Sequence, residues 1–252
     1  MGVKPIKKTF SVSIQAHRGF NKRYPENTLL AFQKAIEAKA DYVELDVHLT
    51  VDHHIVVTHD YQTQRVADQD LIVAKSTLKQ LKTLDFGQKQ KIPTLQEVFD
   101  LCKGKIGINI EIKHSGLARP VNDLIIANEM ENQVIISSFV HSEIAAIKKL
   151  NSNLICASLE PTASSKLGYL LSIFKRKSFI ENAKRLNADA THPYTKLVNK
   201  KFCALAHANN LLVNPWTSDS PKEWQRLIDV GVDSIITNDP LSLYAFLEQA
   251  SK

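Results

Sequence analysis

The stretch Tyr42-Val43-Glu44-Leu45-Asp46-Val47-His48-Leu49 decides how the chain is read. Its β-branched and apolar residues mark a strand, and residues two apart on a strand share a face. Glu44 and Asp46 therefore emerge side by side. A later run, Ile106-Gly107-Ile108-Asn109-Ile110-Glu111-Ile112, reads the same way and carries a carboxylate near its close. Outward from these two, further strand candidates fall at residues 13–16, 55–58, 134–137, 154–159, 188–191, 211–215 and 234–237. Amphipathic segments lie between most of them, at 29–38, 142–150, 179–186, 202–208, 222–229 and 241–248. Pro93 opens one more helix, with Leu95, Val98, Phe99 and Leu101 inward.

Taking 55–58 as an antiparallel return after the second strand leaves eight strand-then-helix units. That alternation predicts an α/β fold, a TIM (β/α)8 barrel. A doubly wound open sheet is the runner-up, but its glycine-rich turn after the first strand is absent, and Gly19 stands there alone. The 252 residues fit one such barrel, so residues 1–252 are expected to form a single domain. The polar stretch 61–92 interrupts the alternation, with one weak helical pattern at Leu78, Leu81 and Leu84. It is expected to be a small insertion over the barrel mouth, walling one side of the site.

A barrel's active site lies at the C-terminal ends of its strands, so the residues that close strands carry the functional reading. Two carboxylates on one inward face repel and lose hydration unless a cation joins them. Glu44, Asp46 and Glu111 together offer three hard oxygen ligands, suited to Mg²⁺, Ca²⁺ or Mn²⁺. Salt bridges to Lys113, Arg18 or Lys39 are the structural alternative. His17 and His59 each close a strand and form the natural acid–base pair, because imidazole titrates nearest neutral pH. The reading leans to His17 as acid and His59 as base. Arg18 and Lys113 carry fixed charge and can clamp a phosphate. Two histidines, three carboxylates and two fixed cations suit metal-assisted phosphodiester cleavage.

Other residues are more ambiguous. Trp216, after the 211–215 strand, either walls an alcohol pocket or packs in the core. His192 closes another strand and could touch a ligand. In Pro25-Glu26-Asn27-Thr28, Asn27 or Thr28 caps the first helix, and Glu26 or Asn27 could line the pocket. Asn238-Asp239-Pro240 ends the last strand and caps the helix after it. His53-His54 forms a turn, and His114, His141 and His207 look like surface residues.

Composition narrows the class of protein. A hydrophobic content of 44% with 23% charged residues is ordinary for a globular domain. The formal charge of +6 favours anionic ligands. The lysines are scattered and no aromatics interleave with them, so nucleic-acid binding is not expected. Cys102, Cys156 and Cys203 are far apart, odd in number and in apolar surroundings, as reduced buried thiols are. No signal-length apolar stretch follows Lys8, and Ile6 stands where a myristoylation signal needs Ser or Thr. The apolar patch 167–174 is too short to span a bilayer. Followed by Lys175-Arg176-Lys177, it reads as an ordinary barrel helix, with a membrane-touching lip as the alternative. A cytoplasmic protein without stable membrane insertion is expected; the oligomeric state is open.

Read together, the motifs resemble the glycerophosphodiester phosphodiesterase family, of the short bacterial type. They are His17-Arg18-Gly19, Pro25-Glu26-Asn27-Thr28, Val43-Glu44-Leu45-Asp46-Val47, Val57-Thr58-His59-Asp60, Ile92-Pro93-Thr94-Leu95, Ile108-Asn109-Ile110-Glu111-Ile112-Lys113, Ser137-Ser138-Phe139 and Gly231-Val232-Asp233-Ser234-Ile235-Ile236-Thr237. The resemblance implies a TIM barrel with a small insertion after the second strand. It implies catalytic His17 and His59, metal ligands Glu44, Asp46 and Glu111, and substrate contacts from Arg18, Lys113 and Trp216. It also implies a divalent cation and small glycerophosphodiester substrates, such as glycerophosphocholine or glycerophosphoethanolamine, hydrolysed to sn-glycerol 3-phosphate and an alcohol. Two stretches depart from the family pattern, Tyr61-Gln62-Thr63-Gln64-Arg65-Val66 and Asp52-His53, and bear on which alcohol is accepted. Lysophospholipase D action and non-catalytic phosphodiester binding are the rival functions.

Overall fold

The computed structural model describes residues 10–162, 168 and 172–250. Strands and helices alternate throughout. The strands are β1 (Ser13–Ala16), β2 (Tyr42–Leu49), β3 (Ile55–Val57), β4 (Gly107–Ile112), β5 (Val134–Ser138), β6 (Ile155–Glu160), β7 (Ala190–Pro193), β8 (Leu212–Val213) and β9 (Ser234–Thr237). The helices are α1 (Leu29–Glu37), α2 (Leu78–Leu81), α3 (Leu95–Cys102), α4 (Ala118–Ala127), α5 (His141–Leu150), α6 (Arg176–Arg185), α7 (Lys200–His207), α8 (Pro221–Asp229) and α9 (Pro240–Ala250). The sheet runs β8-β7-β6-β5-β4-β2-β1-β9 with every neighbouring pair parallel, and β3 folds back antiparallel on β2. Backbone bonds from Asp233 N to Val213 O (2.9 Å) and from Ile236 N to Pro215 O (3.0 Å) cross the remaining seam. The result is a nearly closed eight-stranded parallel barrel with one extra strand, as the alternation predicts.

Period-two patterning sorts the strand residues. Val43, Leu45 and Val47 of β2 and Ile108, Ile110 and Ile112 of β4 face outward, packing with Phe32 and Ala35 of α1 and Val98 and Phe99 of α3. A second outer cluster joins Ile14, Val213 and Ile235 to Phe179, Phe202, Trp224 and Leu243. Phe99 is 1% exposed, so Phe99→Ala would cost about 3–5 kcal/mol of stability. Inside the barrel, Ile135, Ala157 and Ala190 pack with Tyr42 and Ile155. Beside this small apolar plug, Asn109 Nδ2 donates to Gln15 Oε1 (2.9 Å) and Ser137 Oγ donates to Asn109 Oδ1 (2.9 Å). The three cysteines are buried and unpaired, as expected.

Three elements depart from the sequence reading. Helix α4 was not legible because Leu117 offers no capping side chain, and its buried face includes Asn122 as well as Val121 and Ile125. Its Pro120 sits in the first turn, where backbone N–H groups need no helical partner. The predicted strand at 211–215 enters the ladder only at Leu212–Val213, then continues as extended chain with Trp216 bridging to Tyr194. The 61–92 stretch folds on a small core of its own, formed by Val56, Val73, Leu81, Leu84, Phe86 and Ile92. Its expected helix is one turn, α2, capped reciprocally by Thr77 and Gln80. Of the 167–174 patch, all but Gly168 and residues 172–174 lies outside the described residues, and Phe174 is exposed. Among the described residues no helix is long and apolar enough to cross a membrane.

Candidate active site

The register of β2 and β4 assembles the acidic centre. Asp46 lies opposite Glu111 and Glu44 opposite Asn109, all on the inward face. One oxygen from each of Glu44, Asp46 and Glu111 lies within 4.8 Å of the others, and all three residues are buried. Burial raises the Glu44 carboxyl well above its ordinary range, and Asp46 and Glu111 add to the rise. Burial, followed by the Asp46 charge, pushes Glu111 up to about 7. Burial also works against ionised Asp46, but Lys113 and Arg18 outweigh it and hold that carboxyl below its usual value. A buried cluster with one firmly ionised carboxylate and two reluctant ones fits a divalent cation, whose charge would favour the ionised form of all three.

Two fixed cations already reach the cluster. Lys113 Nζ lies 2.7 Å from Glu111 Oε1 and 3.2 Å from Asp46 Oδ1. The Arg18 backbone N–H donates to Glu44 Oε2 (2.8 Å), its Nη1 donates to Glu26 Oε1 (3.0 Å), and its Nε lies 3.5 Å from Asp46. The His17-Arg18-Gly19 turn that delivers Arg18 has φ +52° at Arg18 and +78° at Gly19. A Cβ at Gly19 would meet Ala31 backbone atoms at 2.7–2.9 Å, so helix α1 leaves room there for glycine alone. In the following motif Thr28 is the helix cap, accepting from Ala31 N. Asn27, with φ +54°, turns its side chain inward and donates to Asp46 Oδ2 (2.9 Å).

The two histidines stand in unlike settings. His17 Nδ1 is 2.7 Å from Asn238 Oδ1, which also accepts from Asn21 Nδ2 (2.8 Å). Asn238 Nδ2 in turn donates to Asp219 Oδ2 (2.5 Å). Burial, and next the Arg18 charge, lower His17 to about 4. His59 Nδ1 is 2.7 Å from the Asp60 carboxylate, and burial lowers His59 against the opposing pull of Asp46. The chain at His59 is held by His48, whose Nε2 donates to the His59 carbonyl (3.2 Å).

These groups open onto one cavity of about 210 Å³, lined by His17, Arg18, Glu44, His59, Glu111 and Lys113 on one side. The other side is Phe139, Leu159, His192, Trp216 and Ile236. Trp216 is pinned by its Nε1 donating to the His192 carbonyl (2.8 Å), and Phe139 meets it edge-on at 5.5 Å. His192 is fully buried beside Asn214 Nδ2 (3.0 Å), and burial lowers it to about 3. Seven of the eight predicted site residues thus line one cavity, and Asp46 joins them through the carboxylate cluster.

Several readings need correction. No residue of 61–91 lines this cavity, so the insertion does not wall the site; it reaches the rim through Arg65, described below. Asp52 and His53 also lie off the cavity, where Asp52 accepts from Leu78 N (3.0 Å) at the start of α2. Asp239 does help cap α9, but Asn238 is the partner of His17. His141 is half-buried between the Leu159 carbonyl and Glu160, and His114 is half-buried beside His48, whereas His207 is exposed. The sequence reading missed His48, Asn214 and Asn238 as site-supporting residues. The one available signal was position: each closes or follows a strand at the same end of the barrel.

Residues 17–242 match the glycerophosphoryl diester phosphodiesterase family. The chain belongs to that family. A glycerophosphodiester phosphodiesterase of Caldanaerobacter subterraneus subsp. tengcongensis is 36% identical over 241 residues, covering 90% of this chain and 94% of that one. The glycerophosphodiester phosphodiesterase of Thermotoga maritima superposes with a TM-score of 0.76 at 26% identity, covering 93% of this chain and 97% of that one. An Oleispira antarctica phosphodiesterase, solved with the product sn-glycerol-3-phosphate, shares the fold with a TM-score of 0.80 at 23% identity, covering 94% and 96% of the two chains. The family expected from the motifs is the family found.

Proposed function

We propose that this barrel hydrolyses glycerophosphodiesters to sn-glycerol 3-phosphate and an alcohol, with His17 and His59 moving the protons. The observation that carries the reading is the convergence of three buried carboxylates, two fixed cations and two histidines on one small cavity. Glu44, Asp46 and Glu111 would hold a divalent cation (Mg²⁺, Ca²⁺ or Mn²⁺), which neutralises phosphate charge that would otherwise repel a nucleophile. Arg18 and Lys113 are placed to take the remaining anionic oxygens of the phosphate. Trp216 and Phe139 offer an apolar wall to the organic part of the substrate.

The hydrogen bonds favour one division of labour between the histidines. Asn238 Oδ1 accepts from Asn21, so the short contact at His17 Nδ1 requires a proton on that nitrogen. His17 Nε2 then carries the lone pair, and burial keeps the ring neutral, as a base must be. His59 leans on a carboxylate, which stabilises the imidazolium an acid must be against the burial that lowers the ring overall. We therefore assign His17 as the base that takes the proton of the nucleophile, water or the glycerol 2-hydroxyl. His59 gives its proton to the leaving alkoxide. This reverses the lean taken from the sequence, where the partners of the two rings could not be seen.

The test is release of glycerol 3-phosphate from glycerophosphocholine by folded protein, with EDTA and then with each cation restored. Release that EDTA abolishes and a cation restores is expected. No release with any cation would overturn the reading. Faster turnover of lysophosphatidylcholine than of glycerophosphocholine would move it to lysophospholipase D action.

A further inference from the structure

Arg65 belongs to the insertion, yet it is tied to both halves of the charged rim. Its Nε donates to Asp60 Oδ2 (2.6 Å), while Nη1 and Nη2 donate to Glu26 Oε2 (2.9 Å) and Oε1 (2.7 Å). The other oxygen of Asp60 takes His59 Nδ1, and Glu26 Oε1 also takes Arg18 Nη1. One guanidinium thus sits between two carboxylates, each of which holds a group of the cavity. Only a planar fork can serve both at once.

The backbone under Arg65 is braced for this. Val66 N and Ala67 N both donate to the Thr63 carbonyl (3.0 and 2.9 Å), closing a turn with Arg65 inside it. Thr63 is fully buried; its Oγ1 donates to Gln69 O (2.6 Å) and accepts from Leu71 N (2.9 Å). Val66, Ala67 and Leu71 then pack on the core of the insertion. Asp60 and Glu26 are both held below their ordinary carboxylate range: burial opposes this, and His59 with Arg65 at Asp60, and Arg65 with Arg18 at Glu26, outweigh it. The Arg65 side chain is 49% exposed, a setting in which ion pairs add little to stability. What remains for it is geometry.

We propose that Arg65 is a positioning residue for the reaction, fixing the His59 imidazole through Asp60 and the Arg18 guanidinium through Glu26. The insertion therefore contributes to the site by orientation rather than by lining it. The inference rests on the reading of His59 as a proton-transfer group.

The experiment is a double-mutant cycle on kcat for glycerophosphocholine with cation present, using wild type, Arg65→Ala, His59→Ala and the double variant. Arg65→Ala is expected to lower kcat about 10- to 100-fold, the scale of a small misplacement of a reacting group. In the His59→Ala background the same change should cost several-fold less than in wild type, because one of the two groups it positions is gone and only its hold on Arg18 through Glu26 remains. Arg65→Lys, which keeps the charge without the fork, should recover part of the loss. A purely structural latch would multiply the same loss into both backgrounds, and that result would overturn the proposal. So would an Arg65→Ala kcat within about threefold of wild type. Failure of the underlying reading shows separately, as a His59→Ala variant that turns over normally. A slow Arg65→Ala beside a fast His59→Ala also overturns the proposal.

Discussion

The two sides of the barrel rim handle buried polarity in opposite ways. Over β1, β2 and β4 every carboxylate of the cavity meets a positive or donating group: Asp46 and Glu111 meet Lys113, and Glu44 takes the Arg18 N–H. Over β6 and β7 the buried ionisable groups His192 and Glu160 have neutral partners. His192 has Asn214, and Glu160 has Asn182 Nδ2 (3.3 Å) with His141 3.5 Å away, itself lowered by burial. Charge packed in a low-dielectric cavity is costly, and it persists on the first side because the charges interlock. The second side carries no such tension and can only shape the cavity. Chemistry should therefore be lost from the charged side and affinity from the neutral one.

The sharpest break would come from the histidines. His17→Ala and His59→Ala should each lower kcat by about 10²–10⁴, read by glycerol 3-phosphate release. With p-nitrophenol as the leaving group, which needs no protonation, His59→Ala should recover most of its rate and His17→Ala should not. Equal recovery of both would dissolve the division between them. Asn238→Ala removes the group that fixes the His17 tautomer and should cost about 10- to 100-fold in kcat, with KM little changed. Trp216→Ala, on the neutral side, should instead raise KM about tenfold and leave kcat within a few-fold. A kcat loss matching that of Asn238→Ala would erase the contrast between the sides.

The smallest effect concerns stability. Burial raises the Glu160 carboxyl to about 7, against weaker pulls from Asn182 and the Thr162 N–H. Its folded pKa lies above its unfolded one, so its contribution is most favourable below about pH 4.5 and is lost as pH rises through 7. Glu160→Gln should flatten that decline, worth about 1–3 kcal/mol between pH 5 and 8 by denaturant titration. Parallel pH curves for the two proteins would mean that Glu160 is solvated as an ordinary surface carboxyl.

How much was legible follows the same physical division. The strands were readable because β-branched runs ended by polar residues are local signals, and β1, β2 and β9 fall where the residues place them. Helix α4 was not, because its buried face mixes Asn122 with aliphatic residues, Leu117 brings no capping side chain, and the carboxylate that accepts from Ala118 N belongs to Glu143, 25 residues on. Glu44 and Asp46 could be paired from their spacing alone. Asn238 could not be matched to His17, 221 residues earlier, until β9 lay beside β1.

The sequence by itself determined the barrel, the carboxylates that share an inward face, and the strand ends where the two histidines stand. Those are consequences of period-two alternation and of where each strand stops, both properties of neighbouring residues. Only the tertiary structure decided which nitrogen of each histidine is bound, which carboxylate stays ionised, and that Arg65 spans Asp60 and Glu26. Hydrogen-bond partners and local dielectric depend on groups far apart in the chain, and closure of the barrel is what brings them together.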